Sequence, residues 1–158
     1  MDANYFRKAM GKFATGVTVI TTKVGDDIHG MTANAFMSIS LDPMLVTISI
    51  DNKARMLKKI QASGKYAVSF LAENQVDLSM HFAGQKKLDR QIEFEYVSGL
   101  PVIPGALASV ICDVEREIEI GDHTLFIGRV KDIKMNDGNP LTFFTGKYGR
   151  NEQLEQVI

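Results

Sequence analysis

A mainly β fold, an antiparallel sheet closed into a small barrel with a few short helices, is what this sequence predicts. Three observations carry the prediction. About six or seven β-type runs occur in 158 residues, hairpin-type turns separate most of them, and no strand–helix–strand rhythm repeats as it does in parallel sheets.

The first segment reads as a helix. Phe6, Ala9, Met10 and Phe13 fall on one helical face, and Asp2 is placed to cap its start. Gly16 breaks that pattern, and residues 17–22 are β-branched throughout, which favours a strand. Gly25-Asp26-Asp27 supplies a turn before a second extended stretch through His29 and Met31. In the next run Met44, Val46, Ile48 and Ile50 alternate with Thr47, Ser49 and Asp51. Asp51-Asn52 then offers a cap for a short helix reaching about Gln61, with Met56, Leu57 and Ile60 on its buried side and Gly64 just past its end. Residues 66–71 read as a strand and residues 74–82 as a third helix, ending at Ala83-Gly84. Residues 85–105 read as a long irregular connection with room for one short strand. From Ser109 to Ile120 apolar residues alternate with mostly acidic ones, a long strand with one wet face. Gly121-Asp122 turns it into a hairpin partner over residues 124–135, and Gly138-Asn139-Pro140 turns again into residues 141–145. The polar tail after Arg150 reads as loosely ordered. Leu125-Phe126-Ile127 is apolar on both faces: one face can fill the barrel while the other meets a second subunit, and a covering helix would explain the same residues.

Composition narrows the class. At 158 residues, 45% hydrophobic and 23% charged, the chain suits one globular domain spanning residues 1–158, with enough length to bury a core unaided. A net charge of -1, with basic clusters no longer than pairs such as Lys58-Lys59 and Lys86-Lys87, argues against a nucleic-acid partner. A single cysteine, Cys112, fits a reducing compartment. The first residues lack the apolar region of a secretory signal and no apolar run would span a bilayer, so the expected location is the cytoplasm, with no membrane partner.

Several common sites are missing from the sequence. There is no G-x-G-x-x-G after a strand, no phosphate loop and no G-x-S-x-G elbow. Cys112 falls on the apolar face of its strand, as a packed thiol does. His29, His81 and His123 lack metal-ligand spacing, and no metal is expected. Two stretches remain. Residues 30–40 alternate small polar and small apolar side chains, with no bulk to block a flat heteroaromatic ligand; a β-edge followed by a hydroxyl-stabilised turn accounts for the same residues. Residues 49–55 place Lys53 and Arg55 at a helix start, where cations oppose the macrodipole unless an anion such as a phosphate is held there; two solvated surface cations are the other reading.

Taken in order, residues 6–17, residues 30–36, Phe82-Ala83-Gly84, residues 121–128 and Gly146-Lys147-Tyr148 resemble the short-chain flavin reductases of the FMN-binding split-barrel superfamily. The nearest likeness is to the reductase components of two-component phenol and 4-hydroxyphenylacetate monooxygenases, and it covers nearly the whole chain. The resemblance implies a Greek-key split barrel and an NADH-dependent oxidoreductase that reduces FAD or FMN for a separate oxygenase. It also implies site residues. Thr32, Ala33, Asn34, Ala35 and Ser38 would meet the isoalloxazine and ribityl chain, largely through backbone. Ser49, Lys53, Ala54 and Arg55 would hold the flavin phosphate, and Phe82, Ala83 and Gly84 would close over the flavin. His123 would lie beside NADH, with Tyr148 near the same pocket. Hydride transfer needs no protein nucleophile, so no residue is expected to be catalytic in that sense. Relatives often carry serine where this chain has Ala35, which removes one side-chain hydroxyl and leaves backbone contacts intact. Two other activities fit the same barrel: a flavin carrier or sensor without turnover, and an oxidase acting on a bound small substrate. The Gly121-Asp122-His123 turn favours the reductase, because a carrier needs no nicotinamide pocket.

Overall fold

A computed structural model describes residues 1–154; the end of the tail read above as loosely ordered lies outside the described residues. In chain order the elements are α1 (Ala3–Met10), β1 (Thr15–Gly16), β2 (Thr18–Val24), β3 (Asp27–Ala33), β4 (Phe36–Leu41), β5 (Met44–Asp51), α2 (Arg55–Ser63), β6 (Lys65–Phe70) and α3 (Val76–Phe82). They continue with β7 (Glu95–Val97), β8 (Leu100–Val102), β9 (Ala108–Ile120), β10 (His123–Met135), β11 (Leu141–Phe144) and β12 (Lys147–Arg150). The fold is mainly β, with every strand pairing antiparallel.

Seven strands form one ladder in the order β3-β2-β6-β9-β10-β5-β4, and β1-β11-β12 make a second, three-stranded sheet. The seven-stranded sheet is strongly curled. Phe36 on β4 and Phe70 on β6 meet edge to face with ring centroids 4.9 Å apart. Their strands stand four places apart in the ladder, about 19 Å in a flat sheet. All seven strands contribute to one apolar cluster that includes Ile20, Ile48, Tyr66, Val110 and Phe126, and Met56 and Ile60 of α2 are fully buried in it. Val17, Leu71, Leu78 and Leu141 form a second cluster that joins α3 to the three-stranded sheet.

The structure revises several boundaries. Asp2 caps α1 as expected, its carboxylate accepting from the Asn4 and Tyr5 amides. Asp51-Asn52 does not cap α2, which begins after Ala54 with no side-chain cap. Asp51 instead accepts from the Lys53 amide at 2.8 Å, closing a turn one step earlier. Gly64 ends α2 in the left-handed region at φ 68°, its amide donating to the Ile60 carbonyl. The stretch read as irregular holds a two-stranded hairpin, β7–β8, whose Leu100 and Val102 are buried. β9 has a wet face only in its outer half, because Ile111 is buried against Ala67, Leu100 and Val102. Phe126 is fully buried, while Leu125 and Ile127 are half-buried.

β3 also carries a titrating group. Burial pushes the His29 imidazole below its ordinary 6.5, Lys59 adds to this, Asp27 opposes it and Arg55 lowers it further. The unfolded chain therefore holds the proton more tightly, so stability is full above about 6.5 and declines as pH falls through that value. His29→Gln should flatten the acid limb of a melting-temperature profile between roughly pH 6.5 and 5. An unchanged slope in thermal unfolding would show that His29 does not set it.

Candidate functional site

β3 passes into β4 through Asn34-Ala35 alone, and the Ser49 amide of β5 donates to the Ala35 carbonyl at 3.4 Å. Asn34, Ala35 and Ser49 line a mostly apolar cleft of about 990 Å³, together with Phe13, Thr15 and Gly16. That volume lies within the range that encloses drug-sized ligands. The Thr15 hydroxyl oxygen on this wall is buried without a hydrogen-bond partner.

The end of β5 is tied to the β9–β10 turn. Asp51 is the ladder partner of His123. The Asn52 amide donates to the Asp122 carbonyl at 2.9 Å, and the Thr124 hydroxyl donates to Asn52 Oδ1 at 2.7 Å. These bonds set Lys53, Ala54 and Arg55 beside the Asp122-His123 turn. Because Ala54 has no side chain to cap α2, the first amides of the helix are left for another acceptor. His123 Nδ1 meets Asp122 Oδ1 at 2.7 Å, with the imidazole 44% exposed. That hydrogen bond, then the charge of His123 and more distantly of Lys53, holds the Asp122 carboxyl below the usual carboxylate range.

The third group sits where α3 covers β3. Gly30 and Thr32 share one face of that strand, while Met31 and Ala33 pack into the core from the other. A Cβ at Gly30 would stand 2.5 Å from the Phe82 ring, so glycine lets the ring pack directly against the strand. Thr32 Oγ1 donates to the Ser79 carbonyl at 2.7 Å. Ser79 Oγ lies 2.8 Å from the Tyr148 hydroxyl, and Phe143 packs edge to face on the Tyr148 ring at 5.4 Å. Thr32, Phe82, Ala83, Gly84 and Tyr148 are thus gathered by tertiary contacts around α3.

Residues 10–152 match a known family, described as the flavin reductase like domain. The chain belongs to the flavin reductase family. It is 45% identical over 153 residues to an NADH-dependent flavin reductase of a Rhodococcus species, covering 95% of this chain and 87% of that one. It is 37% identical over 146 residues to the reductase component of 4-hydroxyphenylacetate 3-monooxygenase from Thermus thermophilus, covering 92% and 94%. The solved structure of flavin reductase PheA2 superposes with a TM-score of 0.94 at 58% identity, over 97% of this chain and 100% of that one.

Within this flavin reductase the cleft takes in Asn34, Ala35 and Ser49 but not Lys53, Ala54, Arg55 or His123, which lie at the adjoining helix tip. Ser38 joins none of the three groups: it is exposed on β4, opposite Val46 beside an irregularity in the ladder. Two residues escaped the sequence reading. Ser79 is fully buried inside α3, and a serine in a helix interior, three residues before Phe82, was the only signal. Asn52 was read as a cap and instead holds the hairpin turn. Cys112 is buried, and burial pushes its thiol up to about 12, so it is a packing group and not a nucleophile. Among the described residues no three His, Cys, Asp or Glu side chains cluster as metal ligands do, and no helix is long and apolar enough to cross a membrane.

Proposed function

We propose that this flavin reductase uses NADH to reduce FAD or FMN at the junction of the β3–β4 joint, the α2 tip and the Asp122-His123 turn, and hands reduced flavin to a separate oxygenase component. One observation carries the placement: Asn52, bonded through both its backbone and its side chain, locks a cationic helix tip against a histidine-bearing turn. A phosphate-binding tip and the proposed nicotinamide contact are therefore neighbours, so one site can take both ligands.

The residues present suit such ligands. Lys53 and Arg55 form no ion pair among the described residues, so both are available to an anion beside the uncapped α2 amides. Ala33, Asn34 and Ala35 offer backbone groups with little side-chain bulk, and Thr32 and Ser38 flank them. Thr32 has its proton committed to Ser79, so it serves a ligand only as an acceptor or through its backbone. Phe82-Ala83-Gly84 borders the site from α3, with Gly84 in the left-handed region at φ 72°. When bound, the flavin supplies the hydride acceptor, and the protein's part is to hold the two rings in contact and shield them.

Residues 1–158 form one domain in this reading, and the curled sheet closes into a Greek-key split barrel. Support comes from the Phe36–Phe70 contact and from the single cluster shared by all seven strands. A second copy of the chain covers an exposed apolar surface. No residue of α1 is buried, yet Phe6, Met10 and Phe13 are 54%, 55% and 80% exposed, and Met37, Ile39 and Leu41 of β4 are exposed as well. The unpaired buried thiol fits a cytoplasmic protein, and the near-neutral charge fits a chain without a nucleic-acid or membrane partner.

Steady-state NADH oxidation with FMN and with riboflavin tests the site. Lys53→Gln/Arg55→Gln should raise the KM for FMN about tenfold and leave that for riboflavin, which has no phosphate, unchanged. Equal effects on both flavins would move the phosphate elsewhere. A yellow protein that oxidised no NADH would instead be a flavin carrier.

A further inference from the structure

We infer that Ser79 is a positioning residue for NADH use, holding the Tyr148 ring in the orientation that the nicotinamide side of the site needs. The inference rests on the function proposed above and on Tyr148 lying near the nicotinamide pocket, as the family resemblance implies. Ser79 lies in the interior of α3 and is fully buried. A helical serine in that position commonly turns its hydroxyl back onto the carbonyl four residues earlier. Here it reaches across 69 residues of sequence to the Tyr148 hydroxyl at 2.8 Å.

The same residue gathers two other parts of the site. Its carbonyl accepts from Thr32 Oγ1 at 2.7 Å and from the Ala83 amide at 3.0 Å. Ser79 therefore joins β3, the Phe82-Ala83-Gly84 turn and β12. Tyr148 is held at two points, its ring by the T-shaped contact with Phe143 and its hydroxyl by Ser79. Without the second point the ring regains rotational freedom, which a ligand must then remove on binding. Loss of Ser79 Oγ should thus weaken NADH binding more than it alters the hydride step, and Phe143 alone cannot fix the ring.

The test is a double-mutant cycle of Ser79→Ala and Tyr148→Phe, reading KM for NADH, kcat, the flavin dissociation constant and the melting temperature. Each single variant should raise the KM for NADH about fivefold, with kcat and flavin binding within twofold of the parent. The double variant should be no worse than the weaker single one, because both remove one hydrogen bond. Independent, multiplying effects would overturn the role of Ser79. So would a lowered melting temperature with an unchanged KM, which marks a packing residue. If Tyr148→Phe alone raises the KM, Ser79 fails and the placement of Tyr148 stands. If neither variant moves it, that placement fails and the inference falls with it.

Discussion

Gly128→Ala should lower the melting temperature by roughly 5–10 °C without changing the protein's activity per folded molecule. Gly128 sits on β10 opposite Val114, beside a register shift in the β9–β10 ladder. A Cβ there would overlap the Tyr66 hydroxyl and stand 2.7 Å from both Tyr66 Cζ and Cys112 Cβ. None of these atoms has room to yield. Tyr66 and Cys112 are both fully buried, and the Tyr66 hydroxyl donates to the Phe126 carbonyl at 3.0 Å. Moving the ring would break that hydrogen bond in the core, where burial already pushes the phenol well above its ordinary range. Overpacking plus a lost buried hydrogen bond places the expected cost near the upper end of the usual range, about 2–3 kcal/mol. Thermal unfolding of Gly128→Ala in a Tyr66→Phe background is the control. Removing the hydroxyl relieves the principal clash, so the two changes together should cost less than their sum. Strict additivity would mean that Tyr66 is not what glycine accommodates.

His123→Ala should raise the KM for NADH about tenfold while leaving the flavin dissociation constant within twofold. The imidazole is oriented before any ligand arrives, because Asp122 fixes Nδ1 at 2.7 Å and the Asn52 bonds fix the turn that carries both residues. In the proposed site the flavin is held by the α2 tip and the β3–β4 joint, which the substitution leaves in place. Isothermal titration with flavin, set against steady-state NADH kinetics, separates the two effects. Equal losses in both would place His123 on the flavin side, and no loss in either would make it an ordinary turn histidine.

Much of the fold was readable because it is local. Period-two alternation in β5 and β9, Asp2 at the start of α1 and Gly64 at the end of α2 each depend on residues within a turn or a strand of one another. The errors share a cause. Asp51 and Asn52 have the chemistry of caps, yet a tertiary partner claimed Asn52 and a tighter turn claimed Asp51, so the helix started later. The β7–β8 hairpin was missed because its strands are three residues each, too short to show a period, and are stabilised by burial against β6 and β9. Leu125 and Ile127, read as meeting a second subunit or a covering helix, are half-buried on β10. Exposed apolar groups also stand on α1, on β4 and at the far end of β10, where spacing along the chain cannot say whether a partner is in the same chain.

The site divides in the same way. Residue types alone marked Lys53 and Arg55 at a helix start, and the ordered motifs of a family marked Asn34, Phe82, His123 and Tyr148. What no sequence pattern could decide is which of them meet. Asn34, Ala35 and Ser49 come together because β4 pairs with β5; the Asp51–Lys53 turn comes beside His123 because β5 pairs with β10; Thr32 and Tyr148 meet through Ser79, from three distant segments. Spacing along the chain encodes which face of an element a side chain takes, since that repeats over a few residues. Contact between elements depends on how the whole sheet curls, and that is set by the summed packing of a core to which every strand contributes.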